Sequence, residues 1–239
     1  MGRLFFVRHA QASFFSSNYD QLSELGETQA RLLGEYWARR NLIFNRVCTG
    51  PAIRHRHTAQ LASEAYRKIG LAFPEPSIRQ EFDEFQGDAV LAQSLPELLL
   101  RDRNIRERHD AMQRSTNETE KRAHFQRLFE AVISMWVNGQ IAPANVESWP
   151  DFCARVHSGL EIFFAASKKG ECAVIFSSGG PLSVAVQCAL HLSARDTLRI
   201  AWMSRNCSFS EFLFSRDQLT LSSFNSFPHL DDDSLLTYR

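Results

Sequence analysis

The stretch "LFFVRHAQAS", residues 4–13, decides the fold, because an apolar run passes directly into a cation and an imidazole. The four residues "LFFV" show no polar alternation, which is typical of a strand buried on both faces of a sheet. Arg8 and His9 follow where this strand should end. Ligands of α/β proteins bind beyond the carboxyl ends of the strands, so the pair predicts a functional site close to the chain start.

The rest of the chain alternates between strand and helix patterns. Residues 27–40 carry Ala30, Leu33 and Trp37 at helical spacing, between candidate strands at 3–8 and 43–50. The remaining pattern predicts helices over 51–70 and 181–192, and an apolar strand run within 172–180 that breaks at a Ser-Ser-Gly-Gly turn. Three further strands are predicted over 198–204, 207–215 and 219–225, the last two joined as a hairpin through residues 216–218. This order predicts an α/β three-layer sandwich, a mostly parallel mixed sheet with helices on both faces.

The middle of the chain, residues 88–167, is predicted to be mainly helical. Ser115 and Glu118 have the spacing of a capping box, and another helix is expected to start near Ser148. No Gly/Ser-rich linker bounds this block. We therefore predict a helical insertion within a single domain that spans residues 1–239.

Composition argues against several classes of protein. Lys plus Arg and Asp plus Glu number 27 each, whereas a dedicated nucleic-acid binder is usually strongly basic. The five cysteines form no Cys-x-x-C pair, which disfavours a zinc ribbon or a disulfide framework. No stretch approaches the ~20 apolar residues that span a bilayer, and no signal peptide is recognised. We expect a cytoplasmic protein that binds neither nucleic acid nor membrane.

Three predicted strand ends carry residues that suit a phosphate group. Arg8 and His9 end the first strand, Arg54 lies in the first turn of the helix after the second, and Ser178 and Gly179 begin the helix after a later strand. Arginine offers a fork of donors to phosphate oxygens, and a helix N-terminus binds anions. Two nearby guanidinium groups would also favour the neutral form of His9, in which an imidazole is nucleophilic.

With these residues in place, the sequence resembles the histidine phosphatase superfamily, which includes phosphoglycerate mutases and many small phosphatases. Arg8-His9-Ala10 is similar to the Arg-His-Gly tripeptide that ends the first strand in that family. Three further segments match in register: "LSELGETQARLLG" at 22–34, "CTGPAIRHRHTA" at 48–59 and "IRQEFDEF" at 78–85. The matches run across nearly the whole chain, and the middle block is matched least.

The resemblance implies a two-step phosphoryl transfer that needs no metal and no other cofactor. His9 would attack phosphorus and become phosphohistidine, while Arg8 and Arg54 hold the phosphoryl oxygens. Ser178 and Gly179 would complete the binding site. The substrate would be a small phosphorylated metabolite.

The general acid of the family belongs to the segment that matches "IRQEFDEF". Glu81 aligns best with it and would protonate the leaving oxygen and then deprotonate the attacking water. Asp83 and Glu84 lie close in sequence, and either could serve instead.

The chain departs from the family pattern at two positions. Ala10 replaces the glycine after the histidine, which would be costly if the backbone there needed a positive φ. Ser178 stands where the family has a second histidine that touches the transferred phosphoryl group. A hydroxyl can donate a hydrogen bond but brings no positive charge, so the site could be weak or adapted to another ligand.

Three functions therefore remain open at the level of sequence. A phosphatase of a small phosphomonoester is favoured. A phosphoglycerate mutase is the alternative, although mutases of this family carry Arg-Arg-Ser followed by prolines, and Arg114-Ser115 has no prolines after it. The third is a weakly active or non-catalytic protein that only binds a phosphorylated ligand, which the serine at position 178 would permit.

Two further histidines, His55 and His57, lie in the predicted second helix. Residues two apart on a helix point to different sides, so these do not form a pair of metal ligands. We expect them on the surface or packed between helices.

Overall fold

A computed structural model describes residues 1–13, 20–216 and 218–238. In this part of the chain one six-stranded sheet forms, with the order β3-β2-β4-β1-β5-β6. The first four strands in that order are parallel, and β5 and β6 are antiparallel to their neighbours. The strands are β1 (Gly2–Arg8), β2 (Arg46–Thr49), β3 (Ser77–Ile78), β4 (Cys172–Ser177), β5 (Phe209–Phe214) and β6 (Leu219–Ser226). The predicted α/β class with a mostly parallel mixed sheet is confirmed.

Eight α-helices are formed by the described residues: α1 (Glu24–Arg39), α2 (Ile53–Lys68), α3 (Gly87–Arg101), α4 (Arg103–Arg114), α5 (Glu118–Val137), α6 (Trp149–Ala165), α7 (Gly179–Leu190) and α8 (Ala194–Met203). Short 3-10 helices cover Gln80–Phe82 and Asp233–Leu235. None of the described helices combines the length and the apolar character that crossing a membrane requires.

The chain divides into two compact units. The first comprises Met1–Glu84 and Cys153–Arg239 and contains the whole sheet. The second, Phe85–Phe152, contains α3, α4 and α5 and has an aromatic centre in which Trp136 packs edge-on against Trp149, with ring centroids 5.7 Å apart.

Alternate side chains of the central strands face opposite sides of the sheet. Phe5 of β1 pairs with Val174 of β4, and both belong to the apolar core that Trp37 of α1 joins. On the other face, Phe214 of β5 stacks on Phe164 of α6, with ring centroids 5.0 Å apart. The first unit therefore carries helices on both faces of its sheet, as the strand and helix pattern predicts.

The carboxyl ends of the three central parallel strands lie side by side. Arg8, the last residue of β1, pairs with Ser177, the last residue of β4. Thr49, at the end of β2, pairs with Phe176 on the other side of β4. The three strand ends that the sequence singles out are thus neighbours at one edge of the sheet.

The prediction of a strand over residues 198–204 is wrong. This segment belongs to α8, which Ser193 caps by accepting the Asp196 N–H at 3.2 Å. Leu198 and Ala201 are buried three residues apart, on one face of the helix. The hairpin of β5 and β6 is confirmed by their pairing. Asp217, within the predicted connection at 216–218, lies outside the described residues.

The capping box predicted at Ser115 and Glu118 is also wrong. Asn117 caps α5, because its side chain accepts the Glu120 N–H at 2.7 Å. Ser115 instead ends α4, and its hydroxyl donates to the Ala111 carbonyl. Two helices meet within three residues here, and the closer asparagine caps the second.

A buried histidine near the chain end makes the stability of the fold depend on pH. His229 packs against Phe209 and Tyr36, with ring centroids 6.2 and 6.1 Å away. Burial lowers the pKa of His229 to about 4, and the nearby Cys207 backbone opposes this shift only in part. Because the unfolded residue titrates near pH 6.5, its contribution to stability is complete above pH 6.5 and is lost as the pH falls toward 4.

We therefore expect His229→Phe to reduce the loss of thermal stability between pH 7.5 and 4.5. The phenyl ring fills the same apolar site and binds no proton, so melting temperatures at pH 7.5 should differ little. Thermal melts of both proteins across this range give the comparison. Equal losses in the two proteins would contradict the assignment.

Candidate active site

Main-chain hydrogen bonds hold the end of β1 in place. The His9 N–H donates to the Ser177 carbonyl at 2.7 Å, and the His9 carbonyl accepts the Cys207 N–H at 3.1 Å. The Ala10 N–H donates to Thr58 Oγ1 at 3.1 Å, which ties this turn to α2. Ala10 is not among the described residues with a positive φ, so alanine fits here without backbone strain.

His9 is buried, and its contacts define its tautomer. Its Nδ1 lies 2.7 Å from the Ala10 carbonyl oxygen, which can only accept, so Nδ1 carries the proton. Burial, the guanidinium groups of Arg54 and Arg8, and the nearby His55 ring hold the pKa of His9 well below its ordinary value. The ring is therefore neutral, with the lone pair on Nε2. The sequence predicted the neutral form from the two arginines, and burial is the larger cause.

The two predicted arginines approach the site from different elements. Arg8 is buried at the end of β1, and its Nη1 donates to the Ser204 carbonyl. Arg54 lies in the first turn of α2, and its Nη1 donates to Asp20 Oδ1 at 2.7 Å. The other oxygen of Asp20 accepts the Ile53 N–H at 2.7 Å. This one carboxylate therefore both caps α2 and orients the Arg54 side chain. No sequence motif pointed to Asp20.

Ser178 lies at the start of α7 and is buried. Its Oγ lies 3.5 Å from Arg54 Nη2 and 2.6 Å from His55 Nε2. The His55 ring centroid is 5.7 Å from that of His9, so both imidazoles belong to the same cluster. The expectation that His55 lies on the surface or only packs between helices is therefore wrong. Its partner is 123 residues away in sequence, and no local pattern reveals such a contact.

Gly179 packs closely against its surroundings. A Cβ at this position would lie 3.1 Å from the Ala201 carbonyl oxygen and 3.8 Å from Arg8 Nε. The helix start at Gly179 is therefore beside the Arg8 side chain, and the residues predicted from three strand ends meet in one place.

The segment that carries the three candidate acids also adjoins β4. The Ser177 hydroxyl donates to the Phe82 carbonyl at 2.6 Å, and Glu84 Oε2 accepts the Gly180 N–H at 3.1 Å. The Glu84 carboxylate thus lies at the turn after Ser178. In the part of the chain that the structure describes, no hydrogen bond joins the Glu81 carboxylate to the histidines, arginines or Ser178 of the cluster.

Asp83 and Glu81 make other contacts. Asp83 Oδ1 accepts the Glu84 N–H at 2.9 Å. The Glu81 carbonyl accepts from Arg155 Nη1 at 3.1 Å, and the Glu81 Cβ lies close to Gly159 of α6. Glu84 is the acid candidate with a hydrogen bond to the start of α7.

The arrangement combines two guanidinium groups, a helix start and a neutral imidazole with a free lone pair. Guanidinium N–H groups and helix N-termini are suited to the oxygens of a phosphoryl group. An unprotonated imidazole nitrogen can attack phosphorus. The cluster therefore has the chemistry for binding a phosphate monoester and for accepting its phosphoryl group.

Comparison with protein families agrees with this geometry. The model of the histidine phosphatase superfamily (branch 1) matches residues 4–138 and 89–226. The chain belongs to this superfamily. A comparison with curated protein sequences finds no match.

Solved structures of histidine phosphatase-like folds are similar over nearly the whole chain. A mycobacterial glucosyl-3-phosphoglycerate phosphatase in complex with inorganic phosphate is 19% identical, with a TM-score of 0.61, over 96% of this chain and 99% of that one. A phosphoserine phosphatase variant of Entamoeba histolytica in complex with phosphoserine is 15% identical, with a TM-score of 0.63, over 96% and 100%. A phosphoglycerate mutase of Bacillus anthracis is 16% identical, with a TM-score of 0.60, over 96% and 95%. These likenesses concern the fold.

We expect Arg54→Ala to weaken the binding of inorganic phosphate by about 10- to 100-fold, because a hydrogen bond from a charged donor is lost. Isothermal titration calorimetry measures the affinity. Arg39→Ala is the matched control, since that side chain is 70% exposed at the end of α1 and should leave the affinity unchanged. Equal affinities of the wild type and Arg54→Ala would exclude Arg54 from the anion site.

Proposed function

We propose that this member of the histidine phosphatase superfamily hydrolyses a small phosphomonoester through a phosphohistidine on His9. The observation that carries the proposal is the hydrogen bond between His9 Nδ1 and the Ala10 carbonyl. It places the lone pair on Nε2 and keeps the ring oriented, which is what a nitrogen nucleophile requires.

In the first step, His9 Nε2 forms a bond to phosphorus as the bond from phosphorus to the ester oxygen breaks. Arg8 and Arg54 stabilise the negative charge on the non-bridging oxygens. Ser178 and the start of α7 at Gly179 bind the same group. A carboxylic acid gives its proton to the leaving oxygen, so the alcohol departs neutral.

In the second step, water attacks phosphorus, the bond to Nε2 breaks, and inorganic phosphate leaves. The same carboxylate removes the proton from the attacking water. We assign this group to Glu84 on its hydrogen bond with the Gly180 N–H, 3.1 Å long, at the helix start that would hold the phosphoryl group. Glu81 is the candidate from the sequence match, and Asp83 is the third.

The two other functions considered from the sequence give different outcomes in the same assays. A mutase would interconvert phosphoglycerates faster than it releases phosphate from p-nitrophenyl phosphate. A protein that only binds phosphorylated ligands would label His9 or bind phosphate without turnover. Arg114-Ser115 without following prolines favours hydrolysis over the mutase reaction.

Replacing His9 by alanine should lower the hydrolysis of p-nitrophenyl phosphate by ~10³-fold or more, because the nucleophile is lost. The wild type, quenched during turnover of a ³²P-labelled substrate, should carry acid-labile and base-stable phosphate that His9→Ala lacks. His57→Ala on α2 is the control and should retain both signals. Substantial hydrolysis by a pure and folded His9→Ala protein would contradict the covalent mechanism.

The general acid is identified by a substitution whose effect on the rate depends on the leaving group of the substrate. Glu84→Gln should slow phosphohistidine formation from an alkyl phosphate by about 10²- to 10⁴-fold, and from p-nitrophenyl phosphate far less, because p-nitrophenolate leaves without a proton. Glu81→Gln and Asp83→Asn are made in parallel and measured by rapid quench. If Glu81→Gln alone shows this pattern, the acid is Glu81 and the assignment to Glu84 is wrong.

A further inference from the structure

His55 is a buried imidazole in the cluster to which neither the sequence nor the two-step mechanism gives a role. It follows Arg54 on α2, is 0% exposed, and places Nε2 2.6 Å from Ser178 Oγ. A Cβ on Gly50 would come closer than 3.0 Å to His55 Nδ1 and to the Phe82 carbonyl oxygen. The loop after β2 therefore leaves room for this ring by having glycine at position 50.

The donors around Ser178 constrain the hydrogen of its hydroxyl. A hydroxyl has one hydrogen and two lone pairs, and Arg54 can only donate to it. If His55 carries its proton on Nε2, the ring donates to the second lone pair, and the hydroxyl hydrogen is left for a ligand. If the proton is on Nδ1, Ser178 must donate to His55 and has no hydrogen to offer.

The surroundings of Nδ1 favour the first arrangement. His55 Nδ1 is buried and has no hydrogen-bond partner among the described residues. A buried N–H without an acceptor is rarer and more costly than a buried lone pair without a donor. Burial and the adjacent Arg54 also hold the pKa of His55 well below its ordinary value, so the ring is neutral with a single N–H.

We propose that His55 positions the Ser178 hydroxyl for a phosphoryl group held beside His9, with the His55 Nε2–H donating to Ser178 Oγ. The proposal rests on the proposed function, because the phosphoryl group is the ligand of that site. The pair occupies the place at the start of α7 where the resemblance implies a second histidine. A ring from α2 and a hydroxyl from α7 then supply together a donor that one residue supplies elsewhere in the family.

A double-mutant cycle tests whether His55 acts through Ser178. His55→Leu removes the donor at similar volume, Ser178→Ala removes the hydroxyl, and His55→Gln retains an N–H donor. We expect each of the first two to lower kcat/KM for p-nitrophenyl phosphate by about tenfold, the loss of one neutral hydrogen bond. The double variant should be no slower than the slower single variant, and His55→Gln should recover most of the rate.

Effects that multiply to about 100-fold in the double variant would overturn the proposal, because the two residues would then act independently. A folded His55→Gln protein as slow as His55→Leu would overturn it as well. His57→Gln, two residues along α2, is the matched control and should leave kcat/KM unchanged. Circular dichroism and thermal melts show which variants are folded, and His55→Gln provides the test if His55→Leu is not.

Two readouts separate this proposal from the proposed function. Histidine side-chain ¹⁵N NMR of the free protein should show the His55 proton on Nε2, and a proton on Nδ1 would overturn the positioning role. Inorganic phosphate affinity, measured by calorimetry, should fall in both His55→Leu and Ser178→Ala. If it falls in both while the wild type hydrolyses no phosphomonoester, the proposed function is wrong and the positioning of Ser178 is supported.

Discussion

The hydrogen bond from the His9 N–H to the Ser177 carbonyl, 2.7 Å long, is the contact on which the site depends. It extends the parallel pairing of β1 and β4 by one residue beyond Arg8, so His9 and the start of α7 are fixed by the same backbone register. A shift of that register by one residue would turn the side chains at the strand ends to the opposite face. The sheet thereby determines which groups face one another across the site.

Burial of the histidine rings is the second constraint. It keeps the rings neutral, which suits the chemistry of the site, but it makes the stability of the fold sensitive to acid. It removes His9 and His55 from water and, with the adjacent guanidinium groups, lowers the pKa of both rings. A neutral ring is what a nucleophile or a single-proton donor needs. The same burial, also at His229, means that the folded protein resists protonation that the unfolded chain accepts. Low pH therefore destabilises the fold through His9 and His55, the same buried rings that lie in the candidate site.

Local patterns were enough for the parts of the molecule that depend on strand ends. Buried apolar runs identified β1 and β4, and the site residues His9, Ser178 and Gly179 follow directly after these two strands. The same patterns failed where the outcome depends on packing at a distance. Residues 198–204 have too few polar positions to separate a strand from the buried side of α8, and only Ser193, outside the run, marks the helix start. Asp20 and His55 matter through partners that no spacing in the sequence identifies.

If His55 positions Ser178 as proposed, a residue of α2 compensates for the departure from the family pattern at position 178. His55 reaches the start of α7 from α2 and is buried there. Ser178 is short enough for the α2 ring to come within 2.6 Å of its hydroxyl oxygen. Gly50 is then required on the far side of that ring, since any Cβ there would collide with it. Residues 50, 55 and 178 therefore form one packing unit, and each is understood only with the other two.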